Sequence, residues 1–385
     1  MKIYKIPLAL LVIFVMFSCA LAGQNAINVS SAIQQMTLRE KVGQLFIVRP
    51  DAIAPYLSSE TVRDTNSGGV KKVSEKMKAF YEEYPAGGFA LFRKNIESPK
   101  QITQFTEQLH ALGNFLPLLC IDEEGGMVAR IANHGAFDVE SFPDMLEIAN
   151  GKDVDAAYDL GLTIGAYLNK YGLDVDFAPV ADVNTNPENP VIGKRALGDD
   201  PELAAKMVCA VLDGLNESGV VGCLKHFPGH GDTMTDTHFG YAETRKTWEE
   251  MLACEMITFE AGMENGARMI MTAHIAAPNV TGNDVPSSLS FMILSEKLRD
   301  ELGYEGVIIT DAMEMGAITD QYDSGEAAVL AIKAGADIVL MPFDYQEAFE
   351  AVVHAVETGE ISEERINESV ERVLKLKTDI NASGE

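Results

Sequence analysis

Residues 221–232 read Val221-Gly222-Cys223-Leu224-Lys225-His226-Phe227-Pro228-Gly229-His230-Gly231-Asp232. A short apolar run leads directly into Lys225-His226, and Pro228, Gly229 and Gly231 then force a loop. A continuous apolar run of this length suits a parallel strand buried on both faces. The same kind of run recurs at Phe46–Arg49, Gly87–Phe92, Leu116–Asp122, Asp174–Asp182, Arg268–His274, Gly306–Asp311 and Asp337–Pro342. Between the runs lie amphipathic stretches such as Val154–Tyr171, Pro201–Ser218, Lys246–Asn265 and Gly325–Ala334, and Ile361–Lys377 reads as a final helix. Alternating strands and helices imply an α/β fold with a parallel sheet. Eight such units point to a (β/α)8 TIM-type barrel as a single catalytic domain. An open doubly wound sheet satisfies the same alternation.

In a barrel, the C-terminal strand ends face the active site. Here those ends carry Asp122, Asp182, Lys225-His226, His274 and Asp311. The loop after Lys225-His226 continues through Asp236-Thr237-His238. An aspartate can accept a proton from one imidazole nitrogen and leave the other free for acid/base work. A zinc site and an ordinary turn are the competing readings of this loop. Pro228-Gly229 breaks any helix between His226 and His230, and no closed ligand set is evident, so no metal is expected. The glycines lack the spacing of a phosphate-binding loop, and no cofactor is expected. Asp311, directly after Ile308-Ile309-Thr310, is placed either as a nucleophile or base or as a cap of the next helix. Asp122-Glu123-Glu124-Gly125-Gly126 puts three acids before a close-approach turn, with Arg130 following. Asn189–Gly198 is a loop bearing Arg195, suited to sugar hydroxyls or a carboxylate.

The chain has 385 residues, 47% of them hydrophobic, enough for a full core without disulfides. Lys and Arg number 30 against 58 Asp and Glu, a net charge of -28. That balance argues against nucleic acid and against an anionic membrane surface as partners. The five cysteines form no C-x-x-C pair, so free, mostly buried thiols are expected. Lys2 and Lys5, the apolar run Ile6–Phe17 and Ala20-Leu21-Ala22 have the parts of a secretory signal over 1–22, leaving 23–385 as the catalytic domain. Ser18-Cys19 offers a competing lipoprotein site, and lipidation at Cys19 is the one route to stable membrane attachment. A secreted, extracytoplasmic location is therefore expected.

Together these motifs resemble glycoside hydrolase family 3, in its bacterial β-N-acetylglucosaminidase branch. The most specific element is K-H-F-P-G-H-G, four residues, then D-[ST]-H, which stands here as Lys225–Gly231 and Asp236-Thr237-His238. The resemblance runs from about Met36 to Lys377. It implies Asp311 as the catalytic nucleophile, His238 as general acid/base and Asp236 as its partner. It implies Asp122, Arg130, Arg195, Lys225 and His226 as residues that hold the sugar. The implied activity is retaining, exo-acting hydrolysis of terminal β-linked N-acetylglucosamine from cell-wall fragments, with N-acetylglucosamine-containing saccharides or muropeptides as partners. A phosphorylase using the same residues and a non-catalytic sugar-binding barrel are the alternatives. Three positions depart from the family pattern: Met127 where arginine is frequent, Glu123 where glutamine is common, and Ala312 where many relatives carry a second aspartate. The segment Asp51–Tyr84 reads as a loop insertion, expected to shape what lies beyond the sugar pocket.

Overall fold

The computed structural model describes residues 29–383. The expected signal segment 1–22 and Cys19 lie outside the described residues. The eight barrel strands are β1 (Phe46–Val48), β2 (Gly88–Ala90), β3 (Leu118–Ile121), β4 (Val175–Asp176), β5 (Val221–Phe227), β6 (Met269–Thr272), β7 (Val307–Thr310) and β8 (Val339–Leu340). Each falls inside one of the apolar runs read from the sequence. All neighbours pair in parallel, in the order β8-β1-β2-β3-β4-β5-β6-β7. A parallel bridge between Ile309 and Ile338 joins the two ends and closes the barrel. The open-sheet alternative is thereby excluded.

Alternate strand residues divide between two cores, as the period of a strand requires. Ile47, Cys120, Val175, Cys223, Met271, Ile309 and Leu340 fill the barrel interior. Phe46, Phe89, Leu119, Leu224, Ile270 and Ile308 face outward beneath the helices. Burial on both faces is why the runs are apolar without alternation. Val373 and Leu376 of the last helix, Glu363–Ser383, join the interior cluster. Asp337, just before β8, binds Arg299, Arg372 and Arg365 together with Ser369. That acid lies at the opposite end from the strand-end carboxylates and is structural.

The expected helix 246–265 is two pieces, Trp248–Leu252 and Glu255–Glu264. Thr247 and Glu250 cap the first, and Cys254, with φ -142° and ψ -78°, breaks the chain between them. Cys120, Cys209, Cys223 and Cys254 are free thiols; the first two barrel cysteines, Cys120 and Cys223, are buried, and the others half-buried. Among the described residues no helix is long and apolar enough to cross a membrane.

The 51–84 segment is not a loose loop. It contains the helices Ser59–Arg63 and Glu75–Glu83. Asp51, fully buried, accepts from the Asn95 side-chain amide at 2.7 Å and from the Val70 N–H at 3.0 Å. The buried Lys94 ammonium donates to the carbonyls of Thr61, Val62 and Asp64 at 2.9–3.0 Å. These contacts fasten the segment to the end of β2.

Candidate active site

A cavity of about 800 Å³ opens at the C-terminal ends of the strands. All eight residues to which the family resemblance gives a role line it: Asp122, Arg130, Arg195, Lys225, His226, Asp236, His238 and Asp311; of the other strand-end residues read from the sequence, Asp182 and His274 stand outside the lining. The eight come from five separated regions of the chain, brought together by closure of the barrel.

The floor is an interlocked set of charges. Lys225 Nζ donates to Asp122 Oδ1 at 3.0 Å and lies 2.6 Å from Glu124 Oε1. Arg195 grips Glu124 with two bonds, Nε to Oε2 at 2.9 Å and Nη2 to Oε1 at 2.7 Å. Arg130 donates to Asp122 Oδ2 at 3.2 Å. Burial opposes ionisation of both acids, but their cations outweigh it. Glu124 is brought down to about 2 by Arg195 and Lys225, and Asp122 is held well below the usual carboxylate range by Lys225 and Arg130. The two acids in turn hold Lys225 and Arg195 charged against the cost of burial.

Lys225 and His226 are adjacent in sequence, yet both line the cavity. In regular strand they would point to opposite faces. A register shift between Lys225 and Phe227 in the β5–β6 ladder makes His226 the extra residue, and such a bulge re-aims a side chain. Asp182 then fixes it. One Asp182 oxygen accepts from His226 Nδ1 at 2.6 Å and from the His226 backbone N–H at 3.2 Å; the other accepts from the His230 N–H at 2.6 Å. With Nδ1 engaged, His226 Nε2 faces Arg195 at 3.5 Å.

The Asp236–His238 pair forms as the spacing suggested. Asp236 Oδ1 accepts from the His238 N–H at 2.9 Å and from His238 Nδ1 at 2.7 Å, leaving Nε2 free. The imidazole is 60% exposed. The loop is tied at two points. Thr237 meets His230 Nε2 at 3.3 Å, and the backbone N–H groups of Gly316 and Ala317 donate to the carbonyls of His238 and Thr237. Asp311 follows β7 and accepts the Ala312 N–H at 2.7 Å. The Asp236–His238 loop is thus docked on the segment that follows Asp311. Burial would raise the Asp311 pKa, but the imidazoles of His274, His226 and His238 lower it on balance, so the carboxylate form is favoured. His274 is buried, bonded to Ser288 and to the Ala312 carbonyl, and holds the turn beyond Asp311.

Several contributors were not among the eight. Glu124 and Asp182 showed only as acids near strand ends; the signal that could have separated them from surface caps was their position against Lys225-His226. Glu123 was noted as one of three acids before the turn and as a departure from glutamine, with no role assigned. Its carboxylate accepts the backbone N–H groups of Arg130, Ile131 and Ala132 at 2.6, 2.9 and 2.8 Å and the Tyr167 hydroxyl at 2.9 Å. It clamps the loop that presents Arg130. Arg49 pairs with Glu314, and its guanidinium lies 3.7 Å from the centre of the Phe92 ring; Arg130 lies 5.3 Å from the same ring. Met127 is 65% exposed and outside the cavity lining.

A barrel with these charged residues at its strand ends is the architecture of the glycosyl hydrolase family 3 N-terminal domain, whose model matches residues 37–376; the chain belongs to that family. It is similar to Beta-hexosaminidase A of Pseudoalteromonas piscicida, 34% identical over 328 residues, covering 78% of this chain and 54% of that protein. A Beta-hexosaminidase of Hydrogenovibrio crunogenus is 33% identical over 286 residues, 72% of this chain and 78% of that one. Among solved structures, a glycoside hydrolase family 3 β-N-acetylglucosaminidase from Paenibacillus sp. superposes with a TM-score of 0.82 at 35% identity, over 91% of this chain and 64% of that one. The chain therefore spans about half to two thirds of two of these relatives and more of the third.

Proposed function

We propose that this chain is a retaining exo-β-N-acetylglucosaminidase acting on cell-wall-derived saccharides. The observation that carries the reading is one cavity holding an ionised Asp311 and, on a loop docked beside it, a histidine whose Nδ1 is occupied and whose Nε2 is free. Asp311 attacks the anomeric carbon while His238, protonated at Nε2, gives its proton to the leaving oxygen. A covalent glycosyl-enzyme forms, and water then attacks it with His238 as base. Asp236 stabilises the imidazolium during the first step. Two carboxyls would be the usual pair for such a reaction. Here an imidazole takes the place of the second carboxyl, able to give and to take a proton. Asp122, Arg130, Arg195, Lys225 and His226 would hold the hydroxyl and acetamido groups of the sugar.

The names of the relatives support N-acetylglucosamine as the sugar. The basic and apolar start of the sequence supports an extracytoplasmic setting, in which muropeptides are the proposed source of substrate. The deciding assay is release of p-nitrophenol from its β-N-acetylglucosaminide, with the β-glucoside alongside. Preference for the N-acetyl sugar, lost in Asp311→Ala with the fold intact, is expected. Equal turnover by Asp311→Ala would overturn the nucleophile assignment.

A further inference from the structure

We propose that Met234 is an oxidation site, at which a peroxide acting on the thioether sulfur unfastens the loop that carries Asp236 and His238 and so withdraws acid assistance to the leaving group. The effect on turnover rests on the glycosidase reading above; the oxidation and its effect on the loop do not.

The chain has 17 methionines. Among the described residues only two of them are exposed, Met127 at 65% and Met234 at 67%. Oxidation of a thioether requires access, so these two sulfurs compete on nearly equal terms. They differ in where they stand. Met127 is outside the cavity lining. Met234 lies two residues before Asp236, and its sulfur accepts from Asn186 Nδ2 at 3.0 Å. The same Nδ2 donates to the Thr233 carbonyl at 3.0 Å, so one amide clips both residues. Asn186 is itself fixed: its backbone N–H donates to the Gly231 carbonyl at 3.1 Å, and its side-chain oxygen accepts the Glu188 N–H at 3.0 Å.

From Thr233 the hold runs on toward the catalytic pair. The Thr233 hydroxyl meets His230 Nδ1 at 2.6 Å, and His230 Nε2 meets the Thr237 hydroxyl at 3.3 Å. Thr237 stands between Asp236 and His238. The sulfur gives an electron pair to one peroxide oxygen, the O–O bond breaks and an S–O bond forms. The departing hydroxide takes the proton from the new oxygen and leaves as water. Sulfur is oxidised and the peroxide reduced. A thioether sulfur is a weak acceptor, and the product is polar. Sulfoxide sulfur is positively polarised, so its contact with the Asn186 N–H turns from attraction to repulsion whichever lone pair reacts. Sulfur and nitrogen at 3.0 Å also leave no room for an oxygen between them. Either Met234 swings outward or the amide leaves the Thr233 carbonyl, and in both cases the segment before Asp236 loses its clip.

The test treats the full chain with hydrogen peroxide and follows Met127 and Met234 by peptide mass spectrometry. Turnover of di-N-acetylchitobiose, a poor leaving group, should fall about tenfold as Met234 oxidises, a part of the roughly 10²–10⁴-fold that acid/base catalysis supplies. The p-nitrophenyl glycoside should change by less than about twofold. Met234→Leu, whatever its starting activity, should lose no more under peroxide, and Met127→Leu should respond as the wild type does. Methionine sulfoxide reductase should restore the oxidised wild type, whereas a thiol reductant alone should not, which separates Met234 from the half-buried Cys209 and Cys254. Equal losses on both substrates, the same loss in Met234→Leu, or full oxidation of Met234 without loss would overturn the proposal. Phe239 is 86% exposed, so chymotryptic cleavage after it reads the loop without turnover. Cleavage severalfold faster after oxidation in the wild type, and unchanged in Met234→Leu, supports the proposal; equal rates before and after oxidation refute it. A wild type that cleaves neither glycoside would defeat the glycosidase reading, and the chymotryptic rates would then decide the effect of oxidation on the loop by themselves.

Discussion

Glu124 is the countercharge on which the pocket floor depends, and Glu124→Gln tests that dependence. The amide keeps the shape but removes the charge facing Arg195 and Lys225, both buried. Lys225 retains Asp122. Arg195 exchanges a two-bond ion pair for one acceptor and a facing N–H donor. A carboxyl at about 2 against an ordinary glutamate value of 4.5 means that the folded state favours the ionised form by about 3 kcal/mol. Loss of one partner of a buried pair costs about 3–5 kcal/mol, which agrees in size. For a chain of this length the melting temperature should drop by roughly 5 °C. Because the folded pKa lies below the unfolded one, the stabilisation is fully present above the unfolded value and is lost as pH falls toward the folded value. Thermal unfolding of wild type and variant should therefore differ at pH 7 and converge between about pH 4.5 and 2. Steady-state kinetics should show KM raised about tenfold or more, since Arg195 and Lys225 lose their positions in the free enzyme as well as in the transition state. A variant that melts with the wild type at pH 7 and keeps its KM would refute this account of the floor.

Three further predictions come from the same geometry. Glu123→Ala strands three backbone N–H groups and the Tyr167 hydroxyl, so unfolding experiments should register a loss of about 3 kcal/mol or more, with KM raised through a loosened Arg130 loop; unchanged KM would remove Glu123 as a positioning residue. His238→Ala should cost about 10²–10⁴-fold on substrates with poor leaving groups and much less on activated aryl glycosides, and an equal loss on both would contradict its role as the acid. Gly231→Ala places a Cβ 1.9 Å from the Val183 carbonyl oxygen, a backbone atom that cannot step aside; low soluble yield or a sharply lowered melting point is expected, and a wild-type melting point would show that the loop has room the structure does not give it.

The strands were legible because a parallel barrel strand is buried on both faces and leaves an unbroken apolar run, as in Val307–Thr310. The single helix expected over 246–265 is two pieces because the chain breaks at Ala253-Cys254, where no proline or glycine signals it, and only the backbone at Cys254 marks the break. The Asp236–His238 pair was legible because its partners are two residues apart. The charged floor was not, because its bonds join residues 71 and 103 positions apart in sequence, as Arg195 to Glu124 and Lys225 to Asp122.

The sequence by itself determined the barrel, through its eight apolar runs, and the residue types at its functional end. It also supplied the Asp236–His238 pair, whose geometry is local. Only the tertiary structure decided which acids are countercharges and which is left for chemistry. Asp122, Glu124, Asp182 and Asp311 look alike as carboxylates near strand ends. Closure of the barrel sets Lys225 and Arg195 against the first two and His226 against the third, and leaves Asp311 beneath imidazoles with no guanidinium or ammonium bonded to it among the described residues. Pairing depends on distance across the fold, and distance is what a linear sequence does not contain.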